Sequence, residues 1–149
     1  MRGNGVRAII NWTLPIIGAG LMVYYELCDT SCSSLQGTFL GVDLKWVGIG
    51  FMAVLLGMNL LEKSPRARTA GLLRVVMLAG ALGGEVMLVH FQVVHDTYCP
   101  YCLAYGLCVL GLFAANFRWR DGYAALLAFL AGVAAFALFF QGSVLPLYR

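Results

Sequence analysis

Residues 70–94 read AGLLRVVMLAGALGGEVMLVHFQVV, and this stretch decides the fold class. Within it, Arg74 and Glu85 are the only Lys, Arg, Asp or Glu residues. A helix needs about 20 apolar residues to cross the ~30 Å hydrocarbon core of a bilayer, so this run is long enough to span it. Because backbone polar groups cannot stay unpaired in lipid, we predict a transmembrane helix here.

Four further runs have the same apolar character. The chain of 149 residues is 61% hydrophobic and 11% charged, whereas roughly 25% of the residues in a soluble domain are charged. We therefore predict an all-α membrane protein with a single transmembrane domain over residues 1–149. The predicted spans are residues 8–27, 46–61, 70–94, 100–117 and 123–140. The first run is long for a secretory signal and lacks an A-x-A-like cleavage site, so we expect it to be retained.

The basic residues are divided unevenly between the two ends of the predicted spans. Eight of the ten Lys and Arg residues fall on one side, and two fall on the other. The eight are Arg2, Arg7, Lys63, Arg66, Arg68, Arg74, Arg118 and Arg120, and the two are Lys45 and Arg149. By the positive-inside rule, this predicts a cytoplasmic N-terminus and an external C-terminus. The clusters form no continuous basic stripe, which argues against a nucleic-acid partner.

A C-x-x-C motif, Cys99-Pro100-Tyr101-Cys102, opens the fourth predicted span on the outer side. Proline suits the first position of a helix, which puts Cys99 near the N-cap and Cys102 in the first turn. Residues three apart share a helix face, so the two sulfurs are close enough to bridge. The positive end of the helix dipole favours a reactive thiolate. The alternatives to a redox-active pair are a structural disulfide and half of a metal site.

A second cysteine pair, Cys28 and Cys32, lies in the first outer connection. Disulfides persist on the outer side of a membrane. Two pairs on one side form a series along which thiol–disulfide exchange can run. The alternatives are a plain structural disulfide and a zinc ion held by four thiolates. Nothing else in the sequence indicates a metal.

The order of these motifs resembles the vitamin K epoxide reductase family, including its bacterial disulfide-forming members. The resemblance covers roughly residues 8–117 and rests on the loop pair, the run CSSLQGTFLGV at 32–42, and the later Cys99-Pro100-Tyr101-Cys102. It implies a four-helix bundle around a quinone, here followed by a fifth helix, with the first outer loop closing the site. It also implies that Cys28 exchanges with an outside partner, Cys32 relays to Cys99, and Cys102 faces the quinone. We therefore expect Cys99 at the aqueous edge, where a relay thiol can reach it, and Cys102 one turn deeper.

The resemblance further implies a function and a partner. We predict a thiol–quinone oxidoreductase in a bacterial cytoplasmic membrane, with its active site facing the periplasm or exterior and ubiquinone, menaquinone or vitamin K as the quinone. Many bacterial members carry a fused thioredoxin-like domain, and this chain stops at Arg149. We therefore expect a thioredoxin-fold partner in trans. The alternatives are a vitamin K quinone or epoxide reductase of an endoplasmic-reticulum membrane, and a non-enzymatic assembly subunit with structural disulfides.

Several other residues are candidates for the quinone pocket. Ionisable residues within a span are costly and usually functional, so Glu85 and His90 are candidates for a proton relay, although ordinary pairing and a position near the interface are alternatives. Tyr101 and Tyr105 flank the redox motif, but tyrosines also form interfacial belts. The candidate contacts are Cys102, Tyr101, Tyr105, Thr38, Phe39, Asn59, Glu85 and His90. Thr38 is included because family members carry a small hydroxyl residue six positions after the second loop cysteine.

Spacing alone suggests three structural roles. Leu35 and Phe39 are four residues apart, which fits a short amphipathic segment that lies on the bilayer and closes the pocket. Cys108 is about 240° around the helix from Cys102, so we expect a structural thiol that faces elsewhere. Small residues let helices approach closely in lipid. The glycines to which we assign this packing role are Gly80, Gly84, Gly106 and Gly111.

Overall fold

The computed structural model describes residues 3–27, 35–61 and 67–144. Within these ranges the chain forms five α-helices and three short strands. The helices are α1 (Gly3–Leu27), α2 (Leu44–Leu61), α3 (Ala67–Val94), α4 (Pro100–Asn116) and α5 (Gly122–Phe139). Each contains one of the predicted spans or all but a residue or two of it, so the apolar runs identified the helices correctly.

Three of the helical segments are long and apolar enough to cross a membrane. They are Gly5–Leu27, Thr69–Val94 and Trp119–Phe139. The shorter apolar helices are α2 and α4, with 18 and 17 residues. At 1.5 Å per residue they are about 26 Å long, which approaches the thickness of the hydrocarbon core. The chain is therefore a membrane protein by length and composition, and the two shorter helices complete its bundle.

Contacts between successive helices show that they alternate in direction. At one end, which we call the cysteine end, Lys45 of α2 contacts Glu26 of α1, and Gln92 of α3 contacts Cys99. The opposite end, which we call the arginine end, joins the start of α1 to the end of α4 through a hydrogen bond from Arg7 to the carbonyl of Asn116. Both cysteines of the C-x-x-C motif thus lie at the same end of the bundle as the start of α2.

The centre of the bundle is packed with aliphatic and sulfur-containing side chains. Met52, Leu78 and Val109 are completely buried, and Leu112 is almost so. These residues belong to one cluster, to which α1, α2, α3 and α4 all contribute. The cluster fixes the positions of four helices, and α5 packs separately along α3.

Glycines bring α3 and α5 into backbone contact. A side chain at Gly132 of α5 would collide with the carbonyl oxygen of Gly80, and one at Gly83 would collide with the carbonyl oxygen of Phe129. The predicted packing role is confirmed for Gly80, and also for Gly84, where an added Cβ would come 2.6 Å from the ring of Phe136. Close approach of this kind is a common means of helix association in lipid.

A small antiparallel sheet covers the cysteine end. It contains β1 (Leu35–Phe39), β2 (Val42–Asp43) and β3 (Phe140–Val144), in the order β2-β1-β3. Leu40 and Gly41 connect the first two strands with positive φ angles of 54° and 79°, as tight hairpin turns require. The strand β3 directly follows α5, so the sheet joins the connection between α1 and α2 to the end of α5.

The sheet corrects the prediction for residues 35–39. The spacing of Leu35 and Phe39 suggested an amphipathic segment on the bilayer surface, but this stretch is the central strand of the sheet and pairs with β3, with Phe39 opposite Phe140. The predicted last span also ran to Phe140, which instead begins β3. The strand β1 satisfies its backbone hydrogen bonds by pairing with residues about a hundred positions later in the chain. Local spacing does not reveal such pairing.

Candidate functional site

The C-x-x-C motif begins α4 as the sequence predicted. Cys99 is the N-cap with φ −105° and ψ 107°, and Pro100 occupies the first helical position. The Cys99 sulfur accepts a hydrogen bond from the backbone N–H of Cys102 at 3.4 Å. A side chain that caps a helix satisfies one of its otherwise unpaired N–H groups. The two cysteines therefore share the first turn of α4, and the sulfur of Cys99 points toward that turn.

Gln92 holds the residue that starts this turn. Its side-chain oxygen accepts the backbone N–H of Cys99 at 2.8 Å, and both residues are almost completely buried. Between them the chain reverses at His95 and Asp96, and Asp96 has a positive φ of 48°. Sequence reasoning missed Gln92, although an uncharged polar residue near the end of an apolar span was an available signal.

Burial corrects the expected exposure of Cys99. We expected this thiol at the aqueous edge of the site, but Cys99 is 1% exposed whereas Cys102 is half-buried. The reason is the capping geometry, since Gln92 and the first turn of α4 draw Cys99 inward. Of the two, Cys102 is the more accessible.

An apolar cleft of about 200 Å³ begins at Cys102. It is partly open and receives side chains from all five helices. Its lining consists of Met22, Leu44, Val47, Gly48, Phe51, Gly80, Ala81, Glu85, Leu88, Cys102, Tyr105 and Phe136. Binding sites for whole drug-sized molecules usually measure about 300–1,000 Å³. This cleft therefore suits a single ring system better than a large ligand.

Three of its lining residues carry polar atoms in their side chains. Cys102 and Tyr105 come from α4, and Glu85 comes from α3. The Tyr105 hydroxyl donates a hydrogen bond to the carbonyl of Gly48 at 3.0 Å. The Glu85 carboxyl lies beside Gly106, where an added Cβ would come 3.0 Å from a carboxyl oxygen. Cys102, Tyr105 and Glu85, all candidates from the sequence, thus meet in one apolar cleft.

The sheet covers this cleft on the side of α5. Phe39 of β1 stacks on Phe136 with ring centroids 4.7 Å apart, and Phe136 lines the cleft. Phe39 therefore contacts the wall of the cleft and not the cleft itself. Thr38, another candidate, is half-buried in β1 opposite Asp43 and Gln141, and it does not line the cleft.

Two further candidates lie away from the cleft. The ring of Tyr101 packs against Tyr24 and Tyr25 at the end of α1, with centroids 5.5 and 6.4 Å apart. His90 is exposed on the surface of α3. Neither residue lines the cleft, so the structure does not bring them together with Cys102 and Glu85.

Asn59 belongs to a polar network at the arginine end. It donates to the backbone carbonyl of Asn11 at 2.6 Å and accepts from Arg74 at 2.7 Å. Asn11 and Asn116 exchange two side-chain hydrogen bonds, 3.2 and 2.6 Å long. All four residues are buried. Asn59 is therefore separated from the cleft, and its amide connects helices.

The remaining cysteines divide into two groups. Cys108 is buried in the central cluster and does not line the cleft, so it faces away from Cys102 as its spacing predicted. Cys28 and Cys32 lie outside the described residues, and so do Lys63 and Arg66. The relay through the loop pair and the four-thiolate zinc alternative both remain predictions.

No protein-family model matches the chain, and no curated protein matches it. The case for a function therefore rests on the residues and on the geometry of the cleft.

Proposed function

We propose that the protein is a membrane thiol–quinone oxidoreductase of the vitamin K epoxide reductase type. One observation carries the proposal, namely that Cys102 of a C-x-x-C motif lines an apolar cleft within a bundle of membrane helices. A quinone is apolar and enters through lipid, and the cleft suits its ring. The motif supplies the electrons, and the quinone accepts them.

The chemistry requires two thiols next to one quinone. Oxidation of Cys99 and Cys102 to a disulfide releases two electrons and two protons, which are what a quinone needs to become a quinol. Cys102 lines the cleft and meets the ring, while Cys99, which touches Cys102 through the capping contact, closes the disulfide. The helix N-terminus favours the thiolate forms that react.

The source of electrons is a protein dithiol outside the membrane. In this proposal, a thioredoxin-fold partner in trans delivers electrons to Cys28 and Cys32, and Cys32 passes them to Cys99 by thiol–disulfide exchange. The protein lies in a bacterial cytoplasmic membrane with its arginine end inside. In support, four described basic residues at or near that end contrast with one at the cysteine end; the four are Arg7, Arg74, Arg118 and Arg120, and the one is Lys45.

Turnover of purified protein tests the proposal without knowledge of the natural partner. Protein in lipid nanodiscs receives dithiothreitol and a short-chain ubiquinone or menaquinone, and quinone absorbance is followed. We expect catalysed reduction that is lost in Cys102→Ser and retained in Cys108→Ala, because Cys108 lies outside the cleft. Absence of catalysis with both quinones, or equal rates in wild type and Cys102→Ser, contradicts the proposed function and favours the non-enzymatic alternative.

A further inference from the structure

The side chain of Glu85 places a carboxyl group in the apolar cleft of the helix bundle. We propose that Glu85 exchanges a proton with an oxygen of the quinone bound in this cleft. The inference rests on the proposed function, and it assigns a catalytic role to a residue on a different helix from the cysteines. Ionisable residues inside membrane bundles are costly, and they commonly mark proton pathways.

Two features of α4 place the carboxyl on the helix face that carries the reactive thiol. Gly106 follows Cys102 by four residues, so the two share a helix face and lie about 6 Å apart along the axis. The Glu85 carboxyl rests against Gly106, because an added Cβ there would come 3.0 Å from one of its oxygens. A ring that contacts Cys102 therefore extends along α4 toward the carboxyl.

The other polar groups around the cleft are less suited to this role. The Tyr105 hydroxyl already donates a hydrogen bond to the carbonyl of Gly48 at 3.0 Å. Cys108 belongs to the central cluster and does not line the cleft. The lining residues from α1, α2 and α5 carry no titratable side chain. Within the described part of the chain, no donor makes a hydrogen bond to the Glu85 carboxyl, so its oxygens remain available to a ligand.

The protons balance over one catalytic cycle. Oxidation of the two thiols gives a disulfide and releases two electrons and two protons. The quinone takes both electrons, receives one proton from Glu85 and takes the second from water. Glu85 then regains a proton from one thiol as that thiol ionises before the disulfide forms, and the proton of the other thiol leaves to water at the cysteine end. The carboxyl ends the cycle unchanged, and the two protons taken by the quinone equal the two released.

The test compares carboxyl and amide at this position. Wild type, Glu85→Gln and Glu85→Asp are assayed with dithiothreitol and a short-chain ubiquinone across a range of pH. Asp121→Asn, the same chemical change in the connection before α5, is the matched control. We expect kcat of Glu85→Gln to fall about 100-fold, the size of a general acid–base contribution, with little change in KM. We expect Glu85→Asp to recover part of the rate and the control to match wild type.

The pH profile separates a proton-transfer role from a structural one. Cys102 and Tyr105 also face the carboxyl from α4, so their titration remains in every variant. Loss of one limb of the profile in Glu85→Gln, and its return in Glu85→Asp, supports the proposal. Wild-type kcat and profile in Glu85→Gln overturn it while leaving quinone reduction intact. Absence of turnover in wild type instead removes the proposed function itself, and this inference with it.

If Glu85→Gln does not fold, infrared spectroscopy tests whether the Glu85 carboxyl exchanges a proton with the quinone. The difference spectrum of wild type on addition of the short-chain ubiquinone should contain a change in the carboxyl C=O stretching band. That change should move in frequency in Glu85→Asp. A difference spectrum without a carboxyl band, or with one that is identical in Glu85→Asp, overturns the proposal.

Discussion

The side-chain oxygen of Gln92 accepts the backbone N–H of Cys99 at 2.8 Å, across the reversal that joins α3 to α4. This contact ties the redox motif to the end of the preceding helix. A buried N–H without a partner costs free energy comparable to a lost hydrogen bond. The position of Cys99, and hence the geometry of the dithiol, depends on Gln92.

Replacing Gln92 by Leu should loosen this start of α4. The change leaves the Cys99 N–H buried and unpaired, so we expect a loss of about 1–3 kcal/mol in the free energy of unfolding. It should also slow disulfide formation between Cys99 and Cys102, measured by thiol alkylation and mass spectrometry. Gln141→Leu, at an exposed position of β3, is the control. Equal stability of the two variants would show that the contact contributes nothing.

The asparagine network at the arginine end should stabilise the fold without affecting catalysis. Asn116→Leu removes both hydrogen bonds with Asn11, and we expect a loss of about 1–2 kcal/mol, as measured for polar contacts between membrane helices. Thermal unfolding in detergent checks the stability, and quinone reduction checks the activity. A selective loss of quinone binding in the folded variant would mean that the quinone binds at the arginine end, which contradicts our assignment of the cleft near Cys102.

Packing between α3 and α5 should tolerate no side chain at Gly132. A leucine there would push against the backbone of Gly80, and we expect a destabilisation of about 1–3 kcal/mol. Movement of α5 also displaces Phe136 from the cleft, so the KM for quinone should rise. Gly71→Leu in α3 is the control, because an added Cβ there meets no atom within 4 Å. Matching melting temperatures for the two variants would contradict the close helix contact.

Filling the cleft should separate quinone binding from thiol chemistry. Ala81→Phe places a ring inside the cleft, and we expect the KM for quinone to rise about tenfold, a loss of about 1.4 kcal/mol of binding. Reduction of the Cys99–Cys102 disulfide by dithiothreitol should remain close to the wild-type rate. Ala131→Phe on an exposed face of α5 is the control. An unchanged KM in Ala81→Phe would mean that the quinone binds elsewhere.

The helices and the local cap were predictable because their causes are local. Long apolar runs specify helices in lipid, and Cys99 followed by Pro100 specifies the start of α4. Cys102, Tyr105 and Glu85 meet because α3 packs on α4. Residue spacing within each helix made them candidates but did not specify that packing.

Other features depend on partners that are distant in the sequence. The strand at residues 35–39 exists through pairing with residues 140–144, and Asn59 is held by Asn11 and Arg74. Phe136 enters the cleft because glycines let α5 approach α3. Periodicity along one segment contains no information about such pairings.

The most direct test of the central claim asks whether the Cys102 sulfur lies against the quinone. In Cys99→Ser, Cys102 cannot form the disulfide of its motif, and its sulfur stays beside the ring. On addition of a short-chain ubiquinone or menaquinone we predict a new charge-transfer absorption band from the thiolate and the quinone, and no such band in the double variant with Cys102→Ser. Absence of the band in Cys99→Ser with saturating quinone, or its persistence in the double variant, would contradict the assignment of Cys102 and its cleft as the quinone site.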